Sequence, residues 1–201
     1  MLVRKAYKFR LYPTHAQETR LREILATCCD VYNSFLHWRR YDYDLYKTSP
    51  SYLDQKKALP LWKQEHPELR EVHSQVLQNV CKRVDLAYES YFDRLADYQL
   101  RKEQGRLKIV NNELERCPGP PRPKGRGSYD SLTYTQAGGF TVGENSIRFS
   151  KLASIKAMDP SRDSWPDENS NPSQAIRQMV CHPLLRGGGT TVAAVPCFGW
   201  H

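Results

Sequence analysis

VRKAYKFRLYPTHAQ, residues 3–17, decides the fold. Val3, Tyr7, Phe9 and Leu11 share one parity, while Arg4, Lys8, Arg10 and Tyr12 share the other. That alternation is a half-buried strand with a basic outer face. Pro13 stops it. Thr14 and Gln17 then stand at the spacing at which each side chain satisfies the other's free backbone N–H, so a helix begins there. A strand with no neighbour in sequence must find partners much later in the chain.

Outward from this start, Leu21, Ile24, Cys28, Val31, Phe35 and Trp38 recur at spacings of three and four, one apolar stripe on a helix whose other face carries Arg20, Arg22, Glu23 and Asp30. Thr48-Ser-Pro-Ser51 breaks the pattern. A shorter helix is predicted over about Leu53–Glu65, ending before Pro67. A second long one follows, with Leu69, Val72, Val76, Val80, Val84, Tyr88, Tyr91, Leu95 and Tyr98 on one side. Such helices pack most economically as an antiparallel bundle with their stripes as core. Gly105 ends it.

From Arg106 to Gly127 the chain is basic and broken by Pro and Gly, and nothing there can bury a core. Strands are predicted again over Tyr129–Thr135, Phe140–Val142 and Ile147–Phe149, with Gly138-Gly139 and Gly143-Glu-Asn145 as turns. These are the partners available to the first strand, which makes the helices an insertion in a small β-domain. From about residue 158 periodicity disappears, and five of the thirteen prolines fall in this stretch. An irregular or disordered tail is expected there. The fold class is α+β.

Charge sets the partner class. Lys plus Arg number 30 against 22 Asp plus Glu, a net +8, and the three basic and four acidic residues from Asp159 onward leave the excess in residues 1–158. A basic body suits a polyanion, whose counterions it releases. No stretch approaches the roughly 18–20 apolar residues of a membrane span, and the first residues lack the apolar centre of a signal peptide, so a protein of the cytoplasm is expected. Cys28, Cys29, Cys81, Cys117, Cys181 and Cys197 form no C-x-x-C pair, so spacing gives no zinc ribbon. The six histidines show no metal or triad spacing. No metal or cofactor, and no small-molecule substrate, is expected.

Two segments carry a family resemblance. R-L-Y-P-x-x-x-Q over Arg10–Gln17, followed by V-Y-N-x-F-L over Val31–Leu36, is the first; Pro120-Pro-Arg-Pro-Lys-Gly-Arg-Gly127, running into Tyr129–Gln136 and Gly138-Gly-Phe140, is the second. With Val76-Leu-Gln78 between them, residues 3–156 resemble the N-terminal part of TnpB (OrfB) proteins, the RNA-guided nucleases and transposases of insertion sequences. The resemblance implies a barrel-like wedge domain interrupted after its first strand by a helical recognition domain. It gives boundaries at 1–13 (first wedge strand), 14–105 (recognition domain), 106–157 (basic loop and remaining wedge strands) and 158–201 (tail). Family members continue into a RuvC-like nuclease domain that uses divalent metal, with a zinc ribbon. No acidic motif on a strand follows Lys156 here, and the change of character near Ala157 reads as a frameshift or recombination, with no catalytic residue in the chain.

The resemblance also implies partners and residues. Double-stranded DNA at the element's end and a guide-type RNA are expected, in a prokaryotic, nucleoid-associated setting; the oligomeric state is left open. The positions matching the motif readers are Tyr52, Gln75, Gln78, Ser131 and Thr133. Gln78 is the best placed, since Gln can donate and accept on one adenine edge. Ser74 stands where some relatives carry Lys. From the residues themselves, Arg122, Lys124 and Arg126, spaced by Pro and Gly, and Arg4, Lys8 and Arg10 on the open strand face, suit phosphate contact. Two other readings stay open: a small DNA-binding repressor, and a decayed transposase fragment without function.

Overall fold

Thr14 starts the first helix by the predicted device. Its side chain accepts from the backbone N–H of Gln17, and the Gln17 side chain accepts from the Thr14 N–H at 3.0 Å. A pair of this kind is worth about 1 kcal/mol. In the computed structural model, which describes residues 8–110, 113–135, 137–143, 145–158, 179–182 and 190–194, β1 (Lys8–Tyr12) leads into α1 (His15–Tyr46). Lys47 closes α1 in a left-handed conformation, φ 57°, with its N–H on the Tyr43 carbonyl. After the Thr48–Ser51 break come α2 (Tyr52–Glu65), a 3-10 turn over Pro67–Glu71, and α3 (Ser74–Glu103). Gly105, at φ 65°, ends the helical run in the left-handed region that glycine adopts without strain.

The helices run up, down and up, so α2 is antiparallel to its neighbours while α1 and α3 are parallel to each other. Residue couplings fix this: Arg20 pairs with Glu71 near the start of both long helices, and Arg39 with Asp85 further along. In the opposite sense, Tyr52 at the start of α2 lies under Lys82, and Lys63 near its end meets Ser74. Between them the predicted stripes form the core. Leu21, Ile24, Cys28, Val31 and Phe35 of α1 are buried against Leu59, Leu69, Val72, Val76, Leu77, Val80 and Val84. Two polar side chains join that core with their bonds made. Gln55, fully buried, accepts from Arg39 Nε at 3.1 Å and donates to the Phe35 carbonyl at 2.9 Å; an unpaired buried amide would cost about 1–3 kcal/mol.

After α3, a two-residue hairpin, β2 (Ile109–Val110) and β3 (Glu113–Leu114), breaks the expected featureless stretch. The remaining strands are β4 (Leu132–Tyr134), β5 (Phe140–Val142), β6 (Ser146–Phe149), β7 (Ala153–Met158), β8 (Met179–His182) and β9 (Thr190–Ala194). They form one antiparallel sheet in the order β4-β8-β9-β1-β7-β6-β5. β1 pairs with β7, Leu11 opposite Ala157, so the three helices are inserted between a strand and its partner. Phe9 and Leu11 turn inward as their parity predicts, and Arg10 and Tyr12 turn out. The end of the expected strand Tyr129–Thr135 is trimmed to three residues, with Tyr129 buried ahead of it.

The expectation of an irregular tail needs correction at two places. β8 and β9 lie within it and stand between β4 and β1, with Leu132 opposite Cys181 and Phe9 opposite Val192. Short strands of that composition have no signal of their own, and their pairing is supplied by edges formed far away in sequence. The rest of the expected tail lies outside the described residues. Among the described residues no pairing joins β5 to β4, and no helix is long and apolar enough to cross a membrane.

Candidate nucleic-acid interface

The two segments of sequence that carry the family resemblance touch each other. Asn33, on the outer edge of the α1 stripe, holds both backbone groups of Lys124: its Nδ2 donates to the Lys124 carbonyl at 2.9 Å, and its Oδ1 accepts from the Lys124 N–H at 2.8 Å. The Cys29 thiol donates to the same carbonyl at 3.3 Å. Two residues on, the Arg126 guanidinium meets Asp30 at 2.9 Å. A Pro- and Gly-rich segment without regular structure is thus fixed by one helix face, Cys29, Asp30 and Asn33. Above it, Lys124 Nζ lies 5.2 Å from the Tyr32 ring centre and 5.5 Å from that of Tyr129. Arg122, Lys124 and Arg126 remain exposed. The clamp therefore grips the backbone and leaves the cationic groups toward solvent, the arrangement that phosphate contact requires.

Ser131 and Thr133 are placed differently from the open reading positions expected of them. Both are buried, at 7% and 3% exposure, beneath Arg83 of α3. Arg83 Nη1 donates to the Ser131 carbonyl and hydroxyl, each at 3.0 Å, and Nη2 donates to the Thr133 hydroxyl at 2.8 Å. Its Nε donates to Asn79 Oδ1 at 2.9 Å, and its carbon lies 5.3 Å from the Tyr129 ring centre. Arg83 joins the helices to the sheet, and sequence reasoning passed over it. A signal existed: Gln75, Asn79 and Arg83 form a polar row at spacings of four beside Val76, Val80 and Val84. The desolvated setting shows in Tyr129, whose phenol is pushed well above its ordinary value first by burial, with Arg83 opposing.

Gln78 stands at a third place, the groove between α2 and the start of α3. Gln78 and Ser74 line it with Leu53, Lys56, Lys57 and Lys63, enclosing about 570 Å³. Tyr52 sits beside it with Lys56 and Lys82 over its ring, at 5.9 and 5.7 Å. At Ser74, the expected place of a lysine in some relatives, an ammonium is supplied from the facing helix: Lys63 Nζ donates to Ser74 Oγ at 2.8 Å. Lys151 adds charge from the turn between β6 and β7, where it takes φ 70°. Burial, then Lys151, pulls the Lys63 ammonium below the ordinary lysine value; burial, then Lys63 and Lys151, does the same to His73. Like charges crowded in this way raise the local positive potential that attracts a polyanion.

Gln75 lies half-buried one turn before Asn79. Gly139 comes so close that an added Cβ would stand 2.9 Å from Gln75 Oε1 and 2.5 Å from Tyr134 Cδ1, so a side chain there would displace both. On β1, Arg10 is exposed with its guanidinium carbon 5.6 Å from the Tyr12 ring centre. Arg4 and the side chain of Lys8 lie outside the described residues. The structure thus places Gln78 in one groove, with Tyr52 against Lys56 of its lining, and Arg122, Lys124 and Arg126 on one loop. It sets Ser131 and Thr133 apart as internal partners of Arg83. Cys28 and Cys81 are buried thiols pushed up to about 12 by desolvation, which suits packing and not reactivity. Among the described residues no group of three or more His, Cys, Asp or Glu is placed to hold a metal ion.

Residues 1–47 match the model of the helix-turn-helix domain of OrfB proteins of IS605 elements. Within that span the described residues make one strand and one unbroken helix, so the partner helix of any such pair lies beyond residue 47. A Streptomyces pristinaespiralis protein named "Putative RNA-guided DNA endonuclease" is 30% identical over 104 residues, covering 51% of this chain. The match spans 26% of that relative's length. Matched by that domain over β1 and α1, and joined through Asn33 to a second family-like segment, the N-terminal part of this chain is similar to that of OrfB (TnpB) proteins.

Proposed function

We propose that the chain is a nucleic-acid-binding portion of a TnpB-type protein that grips a DNA motif at its element's end together with a guide-type RNA, with no chemistry of its own. The observation that carries the reading is the clamp of Asn33 on Lys124, which gives three exposed cations a fixed track. In this reading the sheet is the barrel-like wedge domain and the helices of residues 14–105 are the recognition domain. The α2/α3 groove reads the duplex: Gln78 presents donor and acceptor to a base edge, Tyr52 packs beside it, and Lys56, Lys57 and Lys63 neutralise flanking phosphates. Gln75, Ser131 and Thr133 serve the same surface from beneath, the last two by fixing Arg83. Arg122, Lys124, Arg126 and the β1 cations Arg4, Lys8 and Arg10 follow the RNA or DNA backbone. The relative's endonuclease activity is not carried over to this chain.

The test is binding of the purified chain to element-end duplex, with and without RNA transcribed from that end, across a salt series. Joint replacement of Arg122, Lys124 and Arg126 by Ala is expected to flatten the slope of log affinity against log salt by about three. An unchanged slope removes the phosphate role. Gln78→Ala should cost about tenfold on the cognate duplex and little on a scrambled one. Copurification of a structured RNA supports guide holding, whereas sequence-specific duplex binding without RNA favours the repressor.

A further inference from the structure

We propose that the groove between α1 and α2, roofed by Pro123, seats unpaired nucleobases, so that the chain takes single-stranded nucleic acid at a second place apart from the α2/α3 groove. This groove encloses about 770 Å³ and is lined mainly by His37, Trp38, Tyr41, Trp62, His66 and Pro123. Its floor is aromatic and built: Trp62 stacks on buried Phe35 with ring centres 4.5 Å apart, and Trp38 lies 6.2 Å from Trp62. Its open wall is a pair of exposed rings, His37 and Tyr41, one helical turn apart with planes only 18° from parallel. Flat faces of that kind accept any base, because every base has a π-face.

Charge on the rim says which aromatic-seeking ligand belongs there. Pro123 stands between the exposed Arg122 and Lys124, and exposed Arg40 precedes Tyr41. Of the acids nearby, Asp30 holds Arg126, Glu68 lies 3.3 Å from His66, and Asp42 accepts from the Trp38 indole N–H at 2.9 Å. Stacking surfaces flanked by the exposed cations Arg40, Arg122 and Lys124 match a strand whose bases are splayed and whose phosphates run alongside. The proposal rests on the preceding function only for the phosphate role of Arg122 and Lys124.

Trp38 and Trp62, two of the four tryptophans, report occupancy directly. The full chain is titrated with a uridine homopolymer, a thymidine homopolymer and a self-complementary duplex while tryptophan emission is followed. Saturable quenching by the homopolymers and little by the duplex is expected. The double variant His37→Ala, Tyr41→Ala should weaken homopolymer binding tenfold or more, the scale of losing a stacked base. Both residues are exposed, so far-UV circular dichroism should not change. Tyr41→Phe should retain binding. Tighter binding of uridine identifies RNA as the source, and equal or tighter thymidine binding identifies single-stranded DNA. Quenching by neither homopolymer, or equal binding by the double variant, overturns the proposal. Cognate-duplex binding of the His37→Ala, Tyr41→Ala variant is read alongside and is expected to be retained, so failure here and failure of duplex reading are distinguishable.

Discussion

Between Ser74 and Val84, α3 buries Val76, Leu77, Val80, Cys81 and Val84; from Leu86 to Glu103 the same helix leaves Leu86, Phe92 and Leu100 exposed and Tyr88, Tyr91, Leu95 and Tyr98 only half covered. The stripe continues through both halves, and the sequence reading took all of it as core. Partners make the difference. α2 covers the first half, and α1 stays alongside until its own end, where Arg40 and Asp44 still act on Tyr88. Beyond that level α3 outruns both helices, and its last turns are tied to the segment after it through Arg101 and Glu115. A period of 3.6 tells which face of a helix is apolar; the lengths of its neighbours decide how much of that face is covered.

The sharpest way to break this comparison is to truncate one residue in each half. Leu77→Ala removes a fully buried side chain and should cost about 2–5 kcal/mol in denaturant unfolding; a loss as small as that of a surface change would sink the distinction. Next comes the junction of the helices with the sheet. Arg83→Met should cost about 2 kcal/mol by stranding the Ser131 and Thr133 hydroxyls, and Thr133→Val in the same chain should recover part of it. Additive losses in that pair would show that the bonds carry no coupling.

A smaller effect concerns the start of α3, where His73 Nδ1 accepts from the Gln75 N–H at 3.3 Å. The folded imidazole titrates below its ordinary value of 6.5 because of burial, then Lys63 and Lys151. The unfolded chain thus binds this proton more readily. Its contribution to stability is present above the ordinary value and is lost as pH falls from there through the folded value. His73→Asn should flatten that part of the pH profile, read by thermal unfolding. Smallest of all, Phe92→Ser should change stability by less than about 0.5 kcal/mol, and amides beyond Phe92 should exchange faster than those near Val80.

Local signals were legible in the sequence, and distant ones were not. The Thr14–Gln17 box, the stop after Tyr46, the glycine at 105 and the inward parity of Phe9 and Leu11 are each set within a few residues, and each is found in the structure. Arg83 was missed because its partners Ser131 and Thr133 lie about fifty positions away. The strands at Met179 and Thr190 were missed for the same reason: only edges made elsewhere tell them to extend. Of the candidate site, the basic loop was readable as charge between prolines. Its attachment to Asn33 was not, because an asparagine on a helix edge gives no hint of the backbone it will hold. The lysine groove was hidden too, since Lys63 and Ser74 are neighbours only across two helices.

β1 lies in the middle of the sheet, between β7 and β9, which follow it by more than 140 residues. On a ribosome β1 emerges first and waits for roughly 145 residues before Ala157 can meet Leu11, on the order of ten seconds at ordinary elongation rates. During that interval the helices can close on their own stripe through nearby contacts, while Phe9 and Leu11 stay uncovered. The helical insert is thus free to form before the sheet that joins its two ends exists. Completion of the sheet then acts as a late latch on a helical insert already built.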